Sequence, residues 1–160
     1  MRQAILATVL AGAAVLGGCE MRLDMPDNFV TVDEGSLGPY DVRGVSADGM
    51  VLAARREPNA ENGTLAFWTE AVKRELAARN YTLGRSEEVE SDGGLAGTLM
   101  TFSASRGGRP FTYMTAVFVT SSMFDDGEVF IAEAGGEESI LTPRQDEIRK
   151  TLLTIRSAMW

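Results

Sequence analysis

Histidine is absent from the 160 residues, cysteine occurs once, and lysine is found only at Lys73 and Lys150. Each scarcity excludes something. A disulfide framework needs a second cysteine, and zinc sites are usually built from Cys/His clusters, so neither is expected. The commonest general base and the commonest activated nucleophile are both missing. Neither lysine has a serine three residues before it, and the chain has no Gly-x-Ser-x-Gly elbow and no Gly-Lys phosphate loop. Positive charge is also in short supply: 15 Lys+Arg stand against 23 Asp+Glu, a formal charge of −8. That balance argues against a nucleic-acid partner. No apolar run reaches the roughly 20 residues that span a bilayer. What the chain does have is 44% hydrophobic residues with 24% charged, enough for one domain with a real core and too much for a disordered chain.

The longest apolar run, Ala4 to Gly18, follows Met1-Arg2-Gln3 and holds one threonine and otherwise apolar or small residues. A short cationic start and a run of this length read as a secretory signal. The run ends Leu16-Gly17-Gly18-Cys19, which closely resembles the lipobox of bacterial lipoproteins. The resemblance implies cleavage before Cys19, a diacylglyceryl group on its thiol and fatty acyl chains such as palmitate. Several chains on one residue, at about 0.8 kcal/mol per buried CH₂, make a stable anchor. Position +2 is Glu20 and not Asp, which by resemblance favours the outer membrane, facing the periplasm, where the host has two membranes. Residues 1–18 are therefore expected as signal peptide, 19–26 as lipidated cysteine and tether ending at Pro26, and 27–160 as a single domain.

Within that domain, strands are expected at 28–32, 40–46, 50–56, 81–90, 95–105, 111–120 and 129–134, punctuated by Asp48-Gly49, Gly93-Gly94, Gly107-Gly108 and Asp126-Gly127 turns. Leu65, Trp68, Val72 and Leu76 repeat at helical spacing after Asn62-Gly63-Thr64, which predicts a helix to about Arg79. A last helix is expected from Thr142-Pro143, with Ile148, Leu152, Ile155 and Met159 as its apolar stripe. On the 111–120 strand Phe111, Tyr113, Val117 and Val119 alternate with Met114, Ala116 and Phe118, so it is apolar on both sides and needs cover on each. The expected class is α+β: an antiparallel sheet with helices packed on both faces.

This element order resembles the PsbP-like superfamily, which includes DcrB-like envelope lipoproteins. The stretches that carry the resemblance are Gly49-Met50-Val51-Leu52-Ala53-Ala54-Arg55, Phe67-Trp68, and Phe118-Val119 with Glu133-Ala134-Gly135. Members mostly bind or scaffold other proteins, so the resemblance implies a non-enzymatic module with no cofactor and no catalytic residues to assign.

Carboxylates remain as possible chemistry. Glu87, Glu88, Glu90 and Asp92, and likewise Asp125, Asp126 and Glu128, do not match calcium-loop spacing. They read as solvated turns and a charge-guarded edge strand, so no metal is expected. Glu133 shares the alternation of Val129 and Ile131. Gly135-Gly136 is expected to end that strand, which favours Glu133 at the rim over burial; where an ion pair forms, Arg55 or Arg56 is its expected partner. Phe67 falls about 200° from Leu65 around the helix, outside the apolar stripe, and is a candidate partner surface. The expected function is that of an envelope lipoprotein held to the membrane by Cys19 and binding another envelope protein. The alternative is a small-ligand carrier with a pocket between sheet and helix lined by Trp68, Tyr113 and Phe118.

Overall fold

A computed structural model describes residues 21–32, 37–60, 62–120 and 127–157; Cys19, Asp125, Asp126 and Met159 lie outside them. The strands are β1 (Met21–Arg22), β2 (Phe29–Thr31), β3 (Val42–Ser46), β4 (Val51–Pro58), β5 (Thr82–Glu90), β6 (Ala96–Arg106), β7 (Arg109–Val119), β8 (Glu128–Glu137) and β9 (Arg156–Ser157). The helices are α1 (Leu65–Ala78), α2 (Glu138–Leu141) and α3 (Gln145–Leu153), with a 3-10 turn at Thr142–Arg144 joining the last two. Seven strands form one antiparallel sheet in the order β2-β3-β4-β8-β7-β6-β5. The class is α+β.

Local chemistry fixes the turns that set the register. Gly107 and Gly108 both have positive φ, 58° and 79°, between the paired residues Arg106 and Arg109, a two-residue turn open to glycine and closed to most side chains. The Thr64 hydroxyl caps α1 by accepting from the Phe67 backbone N–H at 3.2 Å.

Alternation then sorts the side chains into two cores. Leu52, Ala54, Met114, Ala116, Phe118, Phe130 and Ala132 belong to the first, with Leu141, Ile148 and Leu152 of the C-terminal helices. Met100, Phe102, Val117, Val129 and Ile131 belong to the second, with Leu76 buried among them and Leu65, Trp68 and Val72 of α1 packed against it.

Three expectations need correcting. The segment read as a tether is built into the domain from Met21: β1 pairs with β9, Met21 and Leu23 are buried, and Asp24 meets Arg156 at 2.7 Å. Two apolar residues spaced by two, sharing a core with the buried Ile155, outweigh the strand-breaking Pro26 that follows them. The β8 strand does not stop at Gly135-Gly136 but runs through both to Glu137. A Cβ at Gly136 would lie 2.8 Å from Met50 Cγ, and one at Gly135 3.0 Å from the Phe111 ring. These glycines permit close packing and do not end the strand. Finally, α3 ends at Leu153, so Ile155 is buried from the chain beyond the helix and not from its stripe.

Candidate functional site

The second core does not extend over its whole side of the sheet. Helix α1 touches β5, β6 and β7, and the neighbouring β3, β4 and β8 carry polar groups on the same side. Arg43 stands opposite Ala53, Ala53 opposite Glu133, and Glu133 opposite Thr115, forming one row across four strands. Ala53 puts no bulk between Arg43 and Glu133. Arg55 lies two residues further along β4, on the same side by alternation. Tyr113 pairs with Gly135, whose missing Cβ leaves room for the Phe111 and Tyr113 rings. Tyr40 enters from the segment before β3, which is pinned to β4 by Asp41 N–H donating to Ala54 O at 2.9 Å.

Three adjoining hollows of about 250, 200 and 370 Å³ meet at Tyr40 and Tyr113. Four arginines line them, Arg43, Arg55, Arg79 and Arg106, against two acids, Glu75 and Glu133. This reverses the charge balance of the whole chain. Three of the arginines are occupied: Arg79 pairs with Glu75 and Arg55 with Glu57, while Arg106 donates to the Tyr81 hydroxyl at 2.7 Å and sits 4.5 Å over the Phe111 ring. A wider surface hollow of about 540 Å³ lies at Arg109, Glu137 and Thr142. There Arg109 and Glu137 already pair at 2.6 Å, so its charge is spent.

The Tyr40 and Tyr113 side chains border Glu133 in two of the three adjoining hollows. Burial, and then the Glu133 charge and hydrogen bond, push the Tyr113 hydroxyl far above the ordinary tyrosine range. Burial followed by Glu133 raises Tyr40 in the same way, with the Arg55 and Arg43 charges opposing. Both hydroxyls therefore remain protonated donors. The Nε atoms of Arg43 and Arg55 and the Oγ1 of Thr115 are buried without a hydrogen-bond partner. Unmet groups concentrated in one place call for an explanation.

Of the residues singled out from the sequence, Glu133 is on the expected side of β8, but in mid-strand and half-buried. The ion pair expected with Arg55 or Arg56 does not form: Arg55 holds Glu57 at 2.7 Å, and Arg56 faces Glu128 at 3.6 Å. Tyr40 and Tyr113 border the carboxylate there. Phe67 is 54% exposed and stacks edge-on against Trp68 at 5.4 Å. Trp68, Tyr113 and Phe118 do not share a pocket. Trp68 Nε1 donates to Asn59 Oδ1 at 2.7 Å, and Phe118 points into the opposite core. Sequence reasoning did not find Tyr40, Arg43 and Thr115. The parity of Arg43 with Val45 was the available signal for one of them. Glu87, in the acidic run, bonds Arg85 and Arg149. Among the described residues no group of three acidic, Cys or His side chains is placed to hold a metal, and no helix is long and apolar enough to cross a membrane.

No protein-family model and no curated protein matches the chain. Among solved structures, LpqN of Mycobacterium tuberculosis, described as involved in cell envelope biogenesis, aligns with a TM-score of 0.66 at 16% identity, over 91% of this chain and 87% of its own. What the two chains share is the fold. A protein of unknown function from Pseudomonas aeruginosa, PA94, aligns at TM-score 0.45 and 15% identity over 88% of this chain and 85% of its own, too loosely to carry an argument.

Proposed function

We propose that this chain is a non-enzymatic module of the bacterial cell envelope, anchored by lipid on Cys19, that binds another envelope component through the open part of its α1 side. In this reading residues 1–18 are the signal peptide, and the domain is of the PsbP-like, DcrB-like kind, with α1 over one sheet face and α2 and α3 over the other. Where the host has two membranes, the module stands on the outer one and faces the periplasm.

The observation that carries this reading is the chemistry of the groove. Its donors are guanidinium groups, which do not give up protons, and hydroxyls held protonated beside a carboxylate. Such a set recognises a ligand and is poorly suited to proton transfer. The fold shared with LpqN, itself described as involved in cell envelope biogenesis, supports the compartment. The alternative, a carrier of small ligands, draws support from the 250 Å³ hollow at Tyr40, Tyr113 and Glu133.

Two experiments test the reading. Cys19→Ser should leave an unanchored precursor, and unchanged detergent partitioning with an unchanged mature mass would remove the anchor. Crosslinking in the native host should recover one envelope component repeatedly, and that recovery should fall in Arg43→Gln. Recovery that ignores groove substitutions would take the binding role away from this face.

A further inference from the structure

We propose that the groove at Tyr40, Arg43, Arg55 and Tyr113 is an oxyanion site that takes the phosphate group of a small ester. This deepens the binding-module reading and rests on it.

The groove holds unmet donors. Arg43 makes no ion pair among the described residues, and its Nε is buried without a partner. Arg55 gives Nη1 to Glu57 at 2.7 Å, and its Nε is likewise buried and unmatched. A guanidinium presents its Nε–H and a neighbouring Nη–H as a parallel pair of donors, the geometry that matches a phosphate or carboxylate. Leaving a buried donor unmatched is costly, and a bound acceptor would satisfy it.

The two arginines address one place. Arg43 lines the hollow of about 250 Å³ and Arg55 the adjoining one of about 200 Å³, and Tyr40, Tyr113 and Glu133 border both. Positions on adjacent strands offset by two residues lie about 7–8 Å apart, within reach of long side chains. The charges facing the groove are Arg43, Arg55, Arg79 and Arg106 against Glu75 and Glu133. With Arg79 paired to Glu75 and Arg55 to Glu57, Arg43 and Arg106 still outnumber the remaining carboxylate, Glu133. Glu133 opposes an anion, and the protonated Tyr40 and Tyr113 hydroxyls beside it blunt that opposition. In a chain of net charge −8, a local excess of positive charge beside a hollow of about 250 Å³ directs an anion here. Among oxyanions, phosphate offers enough acceptors for both guanidinium edges at once.

The source of the phosphate is either a free monoester or a lipid headgroup, and the test separates them. The full chain is titrated calorimetrically with inorganic phosphate, glycerol 3-phosphate and dihexanoyl phosphatidylglycerol below its micelle concentration. At least one should bind, and the tighter of the last two assigns monoester or headgroup. Arg43→Gln should weaken binding about tenfold or more, as expected for loss of a charge-assisted pair. Arg43→Lys should lose less. Glu133→Gln should tighten binding, because it removes the opposing charge and keeps an acceptor for the tyrosines. Arg109→Gln, at the rim hollow, should change nothing. Failure of all three probes, or equal affinity in Arg43→Gln and the parent, overturns the oxyanion site. If an envelope component still crosslinks to the chain in a groove-dependent way, the binding-module reading survives that failure; if it does not, both fall.

Discussion

On β7, Met114, Ala116 and Phe118 belong to a core of apolar side chains that includes Leu141, Ile148 and Leu152. Tyr113 and Thr115, interleaved with them, point to the side that holds Glu133 and the unmatched donors. The same strand therefore serves two purposes at a spacing of one residue. The first side is close-packed to the point that Gly97 and Gly136 admit no Cβ without displacing Phe118 or Met50. The second has an apolar core with α1 packed against it, and beside that core a row of polar groups with open volume. Burial stabilises the first side. The second gives up part of that stability to expose chemistry, as functional surfaces commonly do.

The largest effect should come from opening the sealed side. Phe118→Ala should lower unfolding free energy by about 3–5 kcal/mol, read as a shift in the urea midpoint at constant slope. Next is the helix-covered part of the other side. Leu76→Ala, at the end of α1 and less completely enclosed, should lose about 2 kcal/mol. If it costs as much as Phe118→Ala, the helix seals its side as tightly as α3 does, and the contrast weakens. In the polar row the sign should reverse. Thr115→Val removes a buried hydroxyl with no partner and keeps the shape, so stability should rise, by up to about 1 kcal/mol. A loss would mean that the hydroxyl has a hydrogen-bond partner in solution.

The smallest effect is confined to alkaline pH. Tyr40 and Tyr113 titrate above the ordinary value of 10.0 in the folded chain. The unfolded chain releases those protons first, so the stabilisation is complete below about pH 10 and is lost as pH rises through the folded values. The melting temperature should fall above pH 10, and Tyr40→Phe should make that fall shallower. An identical alkaline profile in Tyr40→Phe would separate Tyr40 from Glu133.

The two sides were unequally legible in the sequence. Period-two alternation on β7 and the helical spacing of Leu65, Trp68, Val72 and Leu76 depend on neighbours a few residues away, and those readings match the cores found. The groove depends on register between distant strands. Arg43, Ala53, Glu133 and Thr115 become one row only when β3, β4, β8 and β7 pair as they do, and no local pattern announces that. Gly135-Gly136 misled for a related reason. A glycine pair in isolation reads as a stop, whereas here the rings of Phe111 and Tyr113 and the Met50 side chain occupy the space where Cβ atoms would be. Met21 and Leu23 were obscured by Pro26, and their burial depends on the C-terminal β9.

Ala132 and Glu133 are consecutive on β8, one wholly buried and the other half-exposed at the groove. Ala132→Cys and Glu133→Cys, each made in the full chain and treated with N-ethylmaleimide under native conditions, compare the two sides directly. Peptide mass mapping distinguishes either thiol from Cys19. A thiol at position 133 should be modified rapidly, and one at 132 only at the rate of global unfolding. Equal protection at both positions, or faster reaction at 132, would contradict the account of one sealed and one open side.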